Sequence, residues 1–283
     1  MKVEDVMSKD LIVGYIPGTV KDALRTLAKN NVSGMPILKK DTKKVAGVLT
    51  RNDIFKHADE EQLALIMSQN PHTIPAESDV IDAAKILYEK RIHGLPVVDK
   101  RSNLVGIISP TDILRTVVID QYKDTIENYF THNLVPVYQD VPITIVMEII
   151  NVTNETALPV LNDNRKLAGI ISEGDLFKLS HIKESVSQTN MGMGGDEDAW
   201  TWEGIRDTVR LYYSTTQVEL PPVPVSQVML TNIVKSYKTM EVSEVANKMV
   251  KHKISHVPVV SSENRLAGMV TDIDLMACMF KSC

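Results

Sequence analysis

Four prolines divide the chain into similar segments, and this internal repetition limits the possible folds more than any other feature. Each proline lies in a short apolar tract and is followed by a glycine after 11, 10, 10 and 10 residues. An aspartate stands six residues beyond each glycine, and a hydroxyl residue stands three residues before each aspartate. The four sets are Pro36, Gly47, Thr50 and Asp53; Pro96, Gly106, Ser109 and Asp112; Pro159, Gly169, Ser172 and Asp175; and Pro258, Gly268, Thr271 and Asp274. The chain is therefore predicted to hold four copies of one module of about 60 residues.

Within each copy the spacing of the apolar residues changes along the chain. Before the proline they recur at helical spacing, as at Val20, Leu24 and Leu27. After it, two short apolar stretches joined by a polar turn are typical of strands, and from the hydroxyl residue onward the spacing is helical again. We predict an α/β (α+β) fold of β-α-β-β-α units that pack in pairs, because one small sheet cannot bury both faces alone. The predicted units are repeat 1 (1–61), repeat 2 (62–120), repeat 3 (121–180) and repeat 4 (225–283).

An insert separates the last two copies. The prolines are 60, 63 and 99 residues apart, so the third interval is longer by about 37 residues. The insert (181–224) opens with a polar, glycine-rich stretch from Ser185 to Asp198 and closes with a proline-rich stretch. Its apolar residues recur at helical spacing, and they are Trp200, Trp202, Ile205, Val209 and Tyr212. We predict a loop, one amphipathic helix and a strand-like connector.

Composition narrows the class of protein. The net charge of −5 gives no sign of the basic surface that nucleic acid requires. The apolar runs reach five or six residues, far fewer than a membrane span needs, and the chain opens without an apolar leader-like stretch. The two cysteines, Cys278 and Cys283, provide neither a disulfide framework nor a zinc site. We expect a cytoplasmic protein without a metal site, a nucleic-acid partner or a membrane partner.

The repeated motif, Gly-hydrophobic-hydrophobic-Ser/Thr-x-x-Asp after a hydrophobic-Pro-hydrophobic strand, resembles that of the CBS domain, named for cystathionine β-synthase. The resemblance covers all of the chain except 181–224. Four copies in one chain also look like the γ subunit of AMP-activated kinase and stand-alone archaeal four-repeat proteins. The resemblance implies two pseudo-twofold pairs arranged as a disk. It also implies clefts between paired repeats that bind adenosyl ligands, namely AMP, ADP, ATP, S-adenosylmethionine or methylthioadenosine.

The motif has two physical interpretations, which the residues alone leave open. A carboxylate at the edge of a sheet accepts hydrogen bonds from ribose hydroxyls, and a hydroxyl at a helix N-terminus helps to bind phosphate. However, Ser/Thr-x-x-Asp ahead of an apolar helix is also a capping box, which only satisfies free backbone amides. Small residues before the proline, Gly34, Gly94 and Ala157, allow the close backbone approach that an adenine slot requires.

The resemblance further implies that each cleft combines the motif of one repeat with the strand before the proline of its partner. The four combinations are Thr50 and Asp53 with Ile92 and Gly94; Ser109 and Asp112 with Val32 and Gly34; Ser172 and Asp175 with Ile254 and His256; and Thr271 and Asp274 with Glu155 and Ala157. His93 takes the position from which related γ subunits direct Arg or His toward phosphate. Glu155 would repel phosphate, which leaves room for a sulfonium ligand.

The leading hypothesis is a non-catalytic sensor that binds an adenosyl ligand and signals to a protein effector in trans. A scaffold with decayed sites is one alternative. An enzyme completed by the insert is another, although the residues outside the repeats form no recognisable catalytic set. Association of two chains into a homodimer stays open.

Overall fold

The computed structural model describes residues 1–57, 60–179, 181–190 and 210–281, with the backbone alone at residue 120, 181–190 and 210–219. Repeat 1 contains α1 (Val3–Val6), β1 (Gly14–Ile16), α2 (Val20–Asn30), β2 (Gly34–Lys39), β3 (Val45–Thr50) and α3 (Arg51–Lys56). Repeat 2 contains α4 (Leu63–Ile66), β4 (Ser68–Gln69), β5 (Ile74–Pro75), α5 (Val80–Lys90), β6 (Leu95–Val98), β7 (Leu104–Ile108), α6 (Pro110–Ile113), a π-helical turn (Leu114–Val118) and α7 (Ile119–Gln121).

The second half follows the same order. Repeat 3 contains a 3-10 turn (Ile126–Asn128), β8 (Val137–Tyr138), α8 (Ile143–Thr153), β9 (Ala157–Leu161), β10 (Leu167–Ser172) and α9 (Glu173–Leu179). The insert contributes β11 (His181–Asn190) and β12 (Arg210–Glu219). Repeat 4 contains 3-10 turns at Val225–Gln227 and Met276–Met279, with α10 (Val242–His252), β13 (His256–Val260), β14 (Leu266–Thr271) and α11 (Asp272–Leu275) between them.

The same small sheet recurs in the four repeats. In repeats 1 to 3 a short first strand runs parallel to the proline-containing strand, which pairs antiparallel with the glycine-containing strand. In repeat 4 a single parallel bridge from Ser236 to Val259 takes the place of the first strand, beside the antiparallel β13–β14 pair. These sheets and their helices confirm the predicted α/β class.

Local sequence also sets the ends of the long helices. Thr19 accepts a hydrogen bond from the Asp22 amide at 3.1 Å, which caps the start of α2. Each long helix ends at a left-handed residue five positions before the proline, where asparagine is favoured over most other side chains. These residues are Asn31, Arg91, Asn154 and Lys253, with φ between 51° and 56°. The turn into the proline-containing strand is therefore the same in all four copies.

Paired repeats exchange short segments. Ser8 from the start of the chain pairs with Ile107 of repeat 2, while β4 of repeat 2 pairs with β3 of repeat 1. The second half repeats this exchange, since Thr131 pairs with Met269 and Leu230 pairs with Ile170. Repeats 1 and 2 are interlocked in this way, and so are repeats 3 and 4.

Helices join the two interlocked pairs. One buried cluster combines α5 and the π-helical turn of repeat 2 with α10 and α11 of repeat 4. On the other side, Phe177 of repeat 3 packs into the core of repeat 1, and Phe55 of repeat 1 packs against the core of repeat 3. Their ring centroids lie 5.9 Å apart, edge to face. Repeat 1 therefore faces repeat 3, and repeat 2 faces repeat 4.

The insert differs from the prediction. Residues 181–190 and 210–219 pair antiparallel over their full length. The prediction was therefore wrong in placing Ser185 to Asn190 in a loop and Tyr212 in a helix. The second segment is rich in β-branched and aromatic residues, whose packing on a sheet outweighs a partial helical spacing. The rest of the predicted helix, including Trp200 and Trp202, lies outside the described residues. In the described part of the chain, no helix is both long and apolar enough to cross a membrane.

Candidate functional site

In each copy the motif aspartate lies in the first turn of the short helix and completes a capping box with the hydroxyl residue. In repeat 1 the Thr50 amide and hydroxyl donate to Asp53 Oδ2 at 2.8 and 2.7 Å. In repeat 3 the Ser172 amide and hydroxyl donate to Asp175 Oδ2 at 3.1 and 2.6 Å. Repeats 2 and 4 make the same two bonds, from Ser109 at 3.0 and 2.6 Å and from Thr271 at 3.1 and 2.7 Å. The capping interpretation of the motif is therefore correct in all four copies.

Capping nevertheless engages only one oxygen of each carboxylate. Within the described residues, no hydrogen bond reaches Oδ1 of Asp53 or of Asp175. Asp112 Oδ1 accepts a hydrogen bond from the Ser8 hydroxyl at 3.3 Å, and Asp274 Oδ1 lies 2.6 Å from Arg91 Nη1. The cap holds each carboxylate in one orientation and directs its second oxygen away from the helix. The two interpretations of the motif are therefore compatible.

The surroundings of Asp274 come from three repeats. Arg91 belongs to repeat 2, and Glu155 lies just before the proline-containing strand of repeat 3. Partial burial raises the pKa of the Glu155 carboxyl, while Arg91 lowers it and Asp274 raises it further. The charge of Asp274 therefore acts on Glu155, while the combination of Asp274 with the strand of repeat 3 stays a prediction.

Two histidines lie beside this group. His256 Nε2 is 2.7 Å from the Thr156 hydroxyl, and the rings of His93 and His256 are 6.4 Å apart. The pKa of His256 is lowered to about 3, mainly by burial and also by the nearby His93 and Arg91. Burial also lowers the pKa of His93. Both imidazoles are therefore neutral at neutral pH, so neither adds a positive charge for phosphate.

Asp272, which the sequence analysis did not single out, lies under His93. It is the first residue of α11, is 3% exposed, and has one carboxylate oxygen 3.8 Å from His93 Nδ1. Its pKa is raised to about 7, mainly by burial and also by the charge of Asp274. The sequence does mark this position, because the residue two places before the motif aspartate differs in every copy. The equivalents of Asp272 are Arg51, Pro110 and Glu173.

A second polar group lies between repeats 1 and 3. The Arg51 guanidinium lies 4.9 Å from the centroid of the Phe177 ring, and Arg51 Nε is buried without a hydrogen-bond partner among the described residues. The pKa of Glu173 is raised to about 7, and burial is the largest cause. Within this net shift Arg51 and Lys56 act to lower the pKa, and Asp53 acts to raise it. Lys56 Nζ also donates to Asn154 of repeat 3 at 2.7 Å. Glu173 gives no functional signal in the sequence, because a carboxylate in the first turn of a helix is common in proteins.

The residues before each proline occupy different environments. A methyl group added at Gly94 would meet nothing within 4 Å, so open space borders that backbone. At Gly34, by contrast, it would lie 3.0 Å from Leu49 O and 3.3 Å from Thr50 Cγ2, so its own sheet explains the glycine. Val32, Ile92 and Ile254 are partly buried against the cores.

The structure leaves most of the expected cleft combinations as predictions. Ala157 and His256 lie opposite the motif hydroxyls of their own repeats, Ser172 and Thr271. Among the described residues, no hydrogen bond joins Asp53 to Gly94, Asp112 to Gly34 or Asp175 to His256. The described residues also contain no group of three or more His, Cys, Asp or Glu side chains placed to hold a metal ion.

Comparison with known proteins identifies the repeated unit. The family model for the CBS domain matches four segments, at residues 3–60, 62–119, 126–182 and 225–281. One similar protein over nearly the whole chain is Uncharacterized protein MJ1225 of Methanocaldococcus jannaschii, 23% identical over 292 residues that cover 95% of both chains. The crystal structure of MJ1225, a candidate archaeal homolog of g-AMPK, has a TM-score of 0.78 at 21% identity and covers 99% of this chain and 100% of that one.

Two further structures are similar. An uncharacterized conserved protein from Pyrococcus horikoshii has a TM-score of 0.66 at 23% identity, over 98% of this chain and 99% of that one. The CBS domain pair of protein MJ0100, in complex with methylthioadenosine and S-adenosyl-L-methionine, is 30% identical. It covers 41% of this chain and 94% of that one, with a TM-score of 0.38. Since the family model matches most of the sequence, the chain belongs to the CBS domain family and carries four copies of that domain.

Proposed function

We propose that this protein is a non-catalytic sensor that binds adenosyl ligands in clefts between paired repeats. One observation carries the proposal. In every copy the aspartate uses Oδ2 in a helix cap, and in repeats 1 and 3 Oδ1 accepts no hydrogen bond from the described residues, which leaves a fixed acceptor for a ribose hydroxyl. Because the cap already fixes the carboxylate, ligand binding pays little further cost to orient it.

The adenine is expected to lie along the strand before the proline. Gly94 borders open space, and the partly buried Ile92 supplies apolar surface next to it. Backbone amides and carbonyls along such a strand can read the edge of a purine, while apolar side chains cover its faces. The Thr50, Ser109, Ser172 and Thr271 hydroxyls lie at the starts of helices, where a phosphate is stabilised if the ligand carries one.

Signalling is expected to pass through the contacts between the two pairs. The residues around Asp53 and Asp274 belong to both pairs, so a ligand at either aspartate alters contacts that hold the pairs together. A ligand shifts such an equilibrium only by its differential affinity for the two states. A protein effector that recognises one arrangement of the pairs then reads the bound ligand in trans.

The first test is a thermal-shift screen of the full chain with AMP, ADP, ATP, S-adenosylmethionine and methylthioadenosine, with GTP as the control. A ligand at one hundred times its Kd should stabilise the fold by about 2.7 kcal/mol, which is a measurable rise in Tm. Recovery of intact ligand after incubation supports a sensor, whereas conversion would indicate an enzyme. No shift with any adenosyl compound, at concentrations up to millimolar, would favour a scaffold.

The second test separates ribose binding from helix capping. Asp112→Ala removes both Oδ1 and the cap, so it should weaken adenosine binding at that site at least tenfold. Ser109→Ala removes part of the cap and keeps Oδ1, so it should lower stability by about 1 kcal/mol and leave adenosine affinity nearly unchanged. Calorimetric titration measures the affinity and urea unfolding measures the stability. Equal losses of affinity in the two variants would contradict the role of Oδ1.

A further inference from the structure

The aspartate of repeat 4 differs from its three counterparts because an arginine already occupies its second oxygen. Arg91 Nη1 lies 2.6 Å from Asp274 Oδ1, while Asp274 Oδ2 accepts the two capping bonds from Thr271. Both oxygens of this carboxylate are therefore engaged. The position that ribose would take, on the function proposed above, is filled by a side chain of the protein itself.

Arg91 is the partner able to leave. The Asp274 side chain is 12% exposed and held by its cap, whereas the Arg91 side chain is 55% exposed. A long side chain at the surface reorients without disturbing the core, and its guanidinium is well solvated when it leaves. Burial raises the pKa of the Glu155 carboxyl and Arg91 acts against this rise, so the guanidinium has a second carboxylate within electrostatic range.

The other three repeats provide an internal comparison. The position of Arg91, the left-handed residue that ends the long helix, is held by Asn31, Asn154 and Lys253 in repeats 1, 3 and 4. In the described residues, no ion pair joins Lys253 to any carboxylate. Asparagine is the side chain best suited to this backbone conformation, so a charged residue here is not required by the turn.

We propose that Arg91 is an internal competitor that lowers the ligand affinity of the repeat 4 cleft and couples this cleft to the other pair. A ligand binds at Asp274 only by displacing Arg91, so this cleft is weaker than an equivalent open one. Because Arg91 belongs to repeat 2 and Asp274 to repeat 4, the same displacement removes a contact between the pairs. Occupancy of this cleft is thereby converted into a change at the interface between pairs.

The experiment uses the full chain with Asp53, Asp112 and Asp175 each changed to Asn, so that the repeat 4 cleft is the one retained. Arg91→Asn is introduced into this background, and Lys253→Asn is the matched control at the same backbone position. Adenosine is titrated calorimetrically because it carries the ribose hydroxyls and no charge, so long-range attraction to Arg91 does not contribute. The second probe is 2′,3′-dideoxyadenosine, which lacks the hydroxyls that compete for Asp274.

We expect Arg91→Asn to tighten adenosine binding about three- to fivefold, the size of effect that a partly exposed ion pair supports. Lys253→Asn should leave the affinity unchanged, and neither variant should alter the affinity for dideoxyadenosine. Unchanged or weaker adenosine binding in Arg91→Asn would overturn the competitor role while leaving the sensor function intact. Absence of adenosyl binding in the unaltered chain as well would overturn both.

Discussion

At the scale of single residues, buried carboxylates distinguish the contacts between the pairs from an ordinary surface. Glu173 faces Arg51, Asp53 and Lys56 of repeat 1, and burial raises its pKa to about 7. Asp272 faces His93, and its pKa is raised to the same region. Both residues begin the short helix of their repeat, and both belong to the second pair. At both contacts between the pairs, the second pair therefore contributes one carboxyl whose raised pKa favours the protonated form.

These pKa shifts predict a pH dependence. A carboxyl whose pKa is raised by folding binds its proton more tightly in the native state, so the free energy of unfolding should fall as pH rises from about 4.5 to about 7. Glu173→Gln keeps the shape and removes the charge, so it should stabilise the protein at pH 8 by about 1–3 kcal/mol. Urea unfolding at several pH values measures this. In the Glu173→Gln variant the free energy of unfolding should depend less steeply on pH, with the remaining dependence coming from Asp272. An unaltered dependence would contradict the assignment to Glu173.

At the scale of elements, the motif glycine of each repeat lies in the strand that precedes the motif aspartate. Its missing side chain allows a segment of the paired repeat to cross this strand closely. A methyl group at Gly268 would meet the Phe130 ring and would lie 2.6 Å from the Thr131 carbonyl oxygen. At Gly106 the three nearest atoms would all belong to the flexible side chain of Met7. The exchange of segments that interlocks each pair therefore depends on the missing side chain, and it does so unequally in the four copies.

This inequality can be measured. Gly268→Ala should lower the free energy of unfolding by about 2–3 kcal/mol, because a ring and a backbone carbonyl cannot both move aside. Gly106→Ala should cost less than about 1.5 kcal/mol, since Met7 can change its rotamer. Chemical denaturation of the two variants provides the comparison. An equal loss of unfolding free energy in the two variants would mean that the segment at Gly268 can move aside, contrary to the close contacts in the structure.

At the scale of the whole molecule, the two pairs meet at two separate contacts of different character. Between repeats 2 and 4 a continuous apolar cluster runs across the boundary. Between repeats 1 and 3 the contact is smaller and combines the Phe55 and Phe177 rings with the buried Arg51. The first contact is suited to permanent association. Both contacts contain groups that are expected to respond. Glu173 in the second contact and Asp272 in the first should respond to pH, and the Arg91–Asp274 ion pair in the first should respond to a ligand.

Removing one ring should weaken the smaller contact selectively. Phe55→Ala is expected to lower the free energy of unfolding by about 2 kcal/mol, below the value for a fully buried ring because Phe55 is partly exposed. A double-mutant cycle with Phe177→Ala should give a coupling of about 0.5–1.5 kcal/mol for the edge-to-face pair. A coupling near zero would show that the two rings contribute independently.

The sequence was sufficient wherever the structural cause is local or repeated. The strand and helix order of the repeats and the capping role of each aspartate depend on residues within a few positions of one another. The position of the insert followed from proline spacing alone. The internal structure of the insert could not be predicted from local spacing, because its two strands, 181–190 and 210–219, pair with each other across a long stretch of chain.

Contacts between repeats make the four copies differ in their chemistry. The residues within each repeat specify four similar motifs, each with an aspartate, a hydroxyl and a small or apolar strand. Arg91 and Asp274 are 183 positions apart, and Arg51 reaches Glu173 from a different repeat. Such contacts leave no periodic trace in the sequence, since they arise when separately folded units pack together. Packing of the two pairs therefore makes four similar motifs into unequal sites, because side chains from a different pair complete their surroundings.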